Sequence, residues 1–236
     1  MFTSFGRNNE SGRLSWLKNK LTQLPPGLRI LDAGAGELRN KQYCSHLEYV
    51  SQDFCQYEGK GDGVALQTGD WDTSRIDLVC DISSIPVADE NFDVVLCTEV
   101  FEHIPDPIGA LRELARLTKS NGLMILTAPF CSLTHFAPYH FSTGFSRYWY
   151  EKHLEALGFT VVEVSSNGGW FDFIAQELCR LPWIGRTYSS RFLGVVALIF
   201  ALPMLCVMRL MKRNDRGSDE LLTFGWHVVC RKNKAI

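Results

Sequence analysis

Four short groups of residues have the types and spacing to do chemistry. Leu31-Asp32-Ala33-Gly34-Ala35-Gly36 places two glycines directly after an apolar run. Asp53 follows a second apolar run, Asp81-Ile82 a third and Thr98-Glu99 a fourth. Glycines at such a turn let the backbone bend tightly and let a ligand approach without a Cβ in the way. An acid about twenty residues further on can hold ribose hydroxyls. A strand-end turn or a helix cap accounts for any one of these residues alone. Four groups at the same place relative to their apolar runs point to a ligand site. A pyrophosphate-binding fingerprint needs a third glycine at the start of the next helix. Here Glu37-Leu38-Arg39-Asn40 follow Gly36, which argues against a nicotinamide cofactor.

The elements that must position these residues follow from periodicity. Leu14 to Leu24 has helical spacing and stops at Pro25-Pro26. Apolar runs at 28–33, 49–53, 76–80, 92–97, 123–128, 159–165 and 224–230 read as seven strands. A weak helix is expected after the first, and 56–75 reads as a loop. Pro107 to Lys119 reads as an amphipathic helix with Gly122 as its stop, and Thr143 to Leu157 as another closed by Gly158. This alternation predicts an α/β fold: a Rossmann-like, seven-stranded, mostly parallel sheet with helices on both faces. The functional acids then fall at the carboxyl ends of strands, where open α/β sheets bind ligands. One domain is expected over 1–236, with a core of about 28–166 and 223–232. A helical apolar insertion fills about 167–222, before the last strand.

On the motifs ILDAGAG, SQDF, CDISSIPVADENFDVVLCTEVFEHIPDP and GLMILTAP, the chain resembles the class I S-adenosylmethionine (SAM)-dependent methyltransferases, in the methyltransferase type 11 subgroup. The resemblance covers about 28–166 and resumes at the last strand. It implies SAM as cofactor. Gly34 and Gly36 would pass under its methionine part, with Asp32 near the ammonium group. Asp53 would take the ribose hydroxyls. Asp81 would accept from the adenine amino group beside the Ile82 backbone, and Thr98 and Glu99 would line the methionine side. Leu38 stands where most members have glycine or another small residue, and there it could crowd the site.

Methyl transfer asks the protein mainly to align an acceptor about 3 Å from the methyl and to exclude water. A hydroxyl acceptor needs a general base more than an amine does. His103 and His140 are the catalytic candidates, with His135 as a third histidine. His103 could equally cap the turn that leads to Pro105. His135 and His140 lie in FCSLTHFAPYHFSTGFSRYWY, a loop whose aromatics suit a sugar or another hydroxylated ring, or simply pack on the core. Arg147 and Tyr148 open a helix nearby; they could touch an anionic acceptor or face solvent.

The net charge of −2 gives no reason to expect a nucleic-acid partner. The eight cysteines form no C-x-x-C pair, which predicts a reduced, intracellular protein and no metal site. The N-terminus has no apolar core of an export signal. Phe192 to Met208 is uncharged and bracketed by Arg186, Arg191, Arg209, Lys212 and Arg213. With the aromatic stretch before it, 170–213 is expected to lie on the cytoplasmic face of a membrane as a peripheral, monotopic attachment. A soluble cap, a subunit interface and a true span are the other readings. The expected function is methylation of a small-molecule or lipid-linked acceptor, a sugar hydroxyl or a quinone-like ring. The second reading is a non-catalytic methyltransferase-fold module attached to a membrane, kept open by Leu38.

Overall fold

Strands β1 (Arg29–Ala33), β2 (Glu48–Asp53), β3 (Leu78–Val79), β4 (Phe92–Thr98), β5 (Thr118–Pro129), β6 (Phe159–Ser166) and β7 (Gly225–Lys232) form one sheet in the order β3-β2-β1-β4-β5-β7-β6. This computed structural model describes residues 5–234; residues 1–4, the first part of the stretch read for an export signal, lie outside them. The chain divides into two compact units, one of residues 16–165 and 225–236, the other of 1–15 and 166–224.

The first unit carries the sheet. β1 to β5 pair in parallel, and β7 runs antiparallel to β5. Alternate residues of the central strands feed two separate cores. Leu31, Val95, Cys97, Leu126 and Val228 point to one face, and Ile30, Val94, Leu96, Ile125 and Val229 to the other. A strand buried on both faces reads as a continuous apolar run, which is why Phe92 to Cys97 shows no alternation. Helices α2 (Pro107–Leu117) and α3 (Arg147–Ala156) cover the first face with Leu111, Leu114, Tyr150 and Leu154. Leu17 and Leu21 of α1 (Asn9–Thr22) cover the second.

Local chemistry sets the helix ends. Asp106 caps α2 by accepting from Gly109 N at 2.9 Å, with Pro107 in the first turn. Ser146 caps α3, which therefore begins at Arg147 rather than at Thr143. α2 ends two residues before Lys119 because Thr118 already joins β5, its hydroxyl donating to Leu114 O at 2.8 Å. Gly122, expected as the helix stop, lies inside that strand. The weak helix expected after β1 is replaced by a 3-10 turn at Lys41–Tyr43. Leu38 there has φ 61°, and the Asn40 side chain turns inward to Asp32 and Thr98, so no helical register starts.

The second unit contains a helical hairpin. α4 (Trp170–Tyr188) and α5 (Arg191–Lys212) are joined by Ser189-Ser190. Ser190 caps α5 by accepting from Leu193 N at 3.1 Å. Gly194, Ala201 and Met208 are its buried residues, seven apart, a seam along one side of the helix. Gly185 and Gly194 let the two backbones meet: a Cβ on Gly185 would lie 2.9 Å from Gly194 Cα. Asp172 near the start of α4 pairs with Lys212 at the end of α5.

Val228 is fully buried and registers against Leu126 in β5. Val228→Asp would place an unpartnered carboxylate in the core and should cost about 4 kcal/mol or more. Val162→Asp, at an exposed position of β6, should stay within about 0.5 kcal/mol. Circular-dichroism melts of the two variants check this, and equal melting temperatures would mean that β7 is not a core strand.

Candidate active site

Four hydrogen bonds from backbone N–H groups, three to carbonyls and one to a side chain, draw the ends of β1, β2 and β3 together. Gly34 N and Ala35 N both donate to Gln52 O, at 2.8 and 2.9 Å. Gly36 N donates to Asp53 Oδ2 at 2.9 Å, and Cys80 N to Asp53 O at 3.1 Å. Gln52 Nε2 also donates to Cys80 O at 2.7 Å. Gly34 sits at φ 72°, and a Cβ there would come 2.4 Å from Val100 Cγ2. Only glycine lets this turn pass so close to the residues after β4.

A cavity of about 470 Å³ opens at these strand ends. Gly34, Asp53, Asp81, Ile82 and Glu99 line it. So do His103, Phe136, Tyr139, Phe141, Tyr57 and Trp71. Part of the aromatic lining is a packed stack: Phe136 lies 4.7 Å from Tyr57 and 4.9 Å from His103, ring centre to ring centre. The loop is held in place by Phe141 N and Ser142 N, which donate to Glu102 O at 2.9 and 3.2 Å. Leu66 N donates to Thr134 O and Phe136 N to Leu66 O, which joins it to the 56–75 loop.

Several expected residues are not on the cavity wall. Asp32 is fully buried; its Oδ2 accepts from Tyr49 Oη at 2.6 Å and Asn40 Nδ2 at 3.3 Å. Its Oδ1 has no hydrogen-bond partner among the described residues. Burial pushes the Asp32 carboxyl up to about 6, against the pull of the Tyr49 and Asn40 hydrogen bonds. Gly36, Thr98 and His140 also lie off the lining, as does Leu38, which is buried. Leu38 therefore does not narrow the cavity; its left-handed backbone explains why a glycine suits that position. Asp81 is exposed, and its hydrogen bonds from the Ser83 hydroxyl and backbone hold its carboxyl below the usual range. Burial pulls His103 down to about 3, and it lowers His140 as well.

A family model described as a methyltransferase domain matches residues 31–126. The chain is 29% identical over 189 residues to a demethylmenaquinone methyltransferase of Renibacterium salmoninarum, covering 73% of each. It is 29% identical over 118 residues to a ubiquinone biosynthesis O-methyltransferase of Xanthomonas axonopodis pv. citri, covering 49% of this chain and 48% of that one. The chain thus spans about half the length of the second relative. Among solved structures it is similar to phosphoethanolamine N-methyltransferase 2 of Haemonchus contortus in complex with SAM. That match has a TM-score of 0.53 and 17% identity, over 95% of this chain and 53% of the other. The chain carries a class I SAM-dependent methyltransferase domain.

SAM is the cofactor of this methyltransferase, and the cavity's chemistry fits it. Asp53, Asp81 and Glu99 are among its lining residues, and no lysine or arginine is. That set suits a cofactor with a positive sulfur, an ammonium group and hydroxyls but no phosphate. The volume is that of an ordinary small-molecule site. No sequence pattern marks the Tyr57–Trp71–Phe136 cluster, because its members come from two loops without periodicity.

Asp53→Ala and Asp81→Ala should each weaken SAM binding by about 1–3 kcal/mol, read by calorimetry, since buried hydroxyl and amino donors lose their acceptors. Unchanged binding in both would move the cofactor out of this cavity. Asp32 makes a separate, pH-dependent prediction. Its raised value means that the folded chain keeps a proton that the unfolded chain has lost, so stability falls as pH rises from about 4 to about 6. Asp32→Asn should then be more stable than the parent by about 2–3 kcal/mol at pH 8, with the gap closing at pH 4. Urea denaturation at the two pH values checks it, and a gap independent of pH refutes the assignment.

Proposed function

We propose that this enzyme methylates a hydroxyl of a lipid-linked small molecule, a sugar or a quinone-like ring, at a membrane surface. The observation that carries this reading is the mixed lining of the cavity. Its carboxylates are the acceptors that a cationic cofactor needs. Its aromatic residues, with Phe136, Tyr139, Phe141 and His103, offer apolar faces and a few polar atoms to a ring-shaped acceptor. The two relatives described above carry quinone-pathway names, which supports a ring of that kind.

SAM supplies an electrophilic methyl group. The chain's own residues bind, orient and keep water out. In this reading Asp53 and Asp81 hold the ribose and adenine ends, with the Ile82 backbone beside the latter. Gly34, Gly36, Thr98 and Glu99 shape the methionine end, and Asp32, with its orphaned oxygen, completes the charge beneath that turn. His103 and His140 are assigned to the acceptor hydroxyl. Tyr57, Trp71 and Phe136 exclude water from the point of attack.

The membrane part rests on α5. It is 22 residues long, about 33 Å at the usual helical rise, and its most apolar 18-residue window has a mean hydropathy of 2.3 and is only 17% buried. By length and composition it is apolar enough to cross a membrane. A soluble cap helix would bury most of such a surface. A single crossing would carry β7 away from β5, yet the two strands pair over seven residues. A helix lying in the interface reconciles both facts, with Arg191, Arg209 and Arg213 reaching anionic headgroups. Val195, Ile199 and Leu202 lie along one exposed face, whereas Val196 is half-buried and a poorer probe.

The protein should pellet with anionic liposomes, and high salt should release only part of it, because salt screens charge but not apolar insertion. The variant with Val195, Ile199 and Leu202 all changed to Asp should stay in the supernatant while still binding SAM. With methyl-labelled SAM and a membrane lipid extract, label should enter the organic phase. If the triple variant pellets like the parent but has half its solution mass, the face is a subunit interface and the membrane reading falls. Label confined to water-soluble products would overturn the lipid-linked acceptor.

A further inference from the structure

His103, His135 and His140 come together although the first is far from the other two in the chain. One ring nitrogen from each lies within 4.8 Å of the others. For His103 and His135, hydrogen bonds show which nitrogen is left to face a ligand. His103 Nδ1 meets the Tyr139 carbonyl, and His135 Nδ1 meets the Leu133 carbonyl at 2.8 Å. A carbonyl only accepts, so both Nδ1 atoms carry the proton, and in the neutral rings both Nε2 atoms present lone pairs. These Nε2 atoms converge on one carboxylate oxygen: Glu102 Oε1 lies 3.7 Å from His103 Nε2 and 3.9 Å from His135 Nε2. Glu102 is fully buried. His103 Nε2 and both ring nitrogens of His140 are buried without a hydrogen-bond partner among the described residues.

A backbone carbonyl on one ring nitrogen, with the other nitrogen turned inward, is how metal-ligating histidines are oriented. Orphaned imidazole nitrogens beside a buried carboxylate are costly in the absence of a cation. Three nitrogens around a zinc-like ion would stand about 3.3 Å apart at metal–nitrogen distances of about 2.0–2.1 Å. The present spacing, within 4.8 Å, has to contract to that value on binding. We propose that His103, His135 and His140 bind one divalent transition-metal ion, with Glu102 beside it to balance the charge. Imidazole donors favour zinc-like ions over magnesium or calcium. Three protein ligands leave a position for an outside oxygen, as catalytic sites do. His103 also lines the cofactor cavity, so that position belongs to the acceptor.

The site stands on its own geometry; its role rests on the hydroxyl-acceptor reading above. A hydroxyl bound to the ion loses its proton to solvent far more easily than in water, and the oxygen is held at a fixed point. His140 is then a ligand rather than a base. The cysteine pattern argued against a metal, and cysteines take no part in this cluster.

The test uses untagged, chelator-treated full-length protein titrated with Co²⁺ and followed by visible absorption, then with Zn²⁺ as competitor. One equivalent of Co²⁺ should bind with the intense bands of a low-coordinate site, and Zn²⁺ should displace it. His135→Ala and His140→Ala should each lower the affinity at least about ten-fold. His153→Ala, on α3 outside the cluster, should leave it unchanged. SAM calorimetry on the same preparations reports whether each variant is folded. If the parent takes up no more Co²⁺ than a variant lacking both His135 and His140 that still binds SAM, the metal site is refuted and the methyltransferase reading stands. If Co²⁺ binds as described but SAM does not, the metal site stands and the cofactor placement fails. Binding that ignores all the histidine changes also overturns the proposal.

Discussion

Asp53 sits at the centre of this structure's chemistry. One carboxylate oxygen accepts from Gly36 N and the other from Cys55 N, each at 2.9 Å, while its carbonyl accepts from Cys80 N. One residue thus ties the turn after β1, the loop after β2 and the end of β3. Each of these backbone groups would otherwise be an unsatisfied donor at the edge of a buried sheet. The cavity exists because the strands end together, and they are held together there by these bonds. The order of the parallel strands brings residues 34, 53, 81 and 99 to one rim, although the chain separates them widely.

The sheet was legible in the sequence because its signals are physical necessities. Strands buried on both faces must be apolar throughout, and the run from Phe92 to Cys97 shows this. Helix α2 announces itself by Asp106, Pro107 and the stripe of Leu111 and Leu114. Boundaries were less legible where side chains compete with the backbone. Ser146 takes over the start of α3, and Thr118 the end of α2. The missing helix after β1 was unreadable for a related reason: Asn40 serves Asp32 and Thr98, partners distant in sequence, instead of a local turn. Of the site, the acids at the strand ends were readable from position alone. The meeting of His103 with His135 and His140 was not, because loop conformation, not periodicity, brings them together.

Unlike the sheet, the helical hairpin conveys little by its own packing. Its seam is thin, Gly194, Ala201 and Met208, and it leaves most of α5 uncovered. Small residues at such a seam let helices approach closely without relying on a large apolar contact between them. The remaining apolar area of α5 is exposed, and it is the feature on which the proposed membrane attachment rests.

The cavity's charge has a consequence for the turnover cycle. Asp53, Asp81 and Glu99 line it, and no lysine or arginine does. Before transfer the cofactor carries a positive sulfur; afterwards that sulfur is a neutral thioether. With the cofactor seated as proposed, the spent form has one attractive charge fewer than the loaded form to offer these carboxylates.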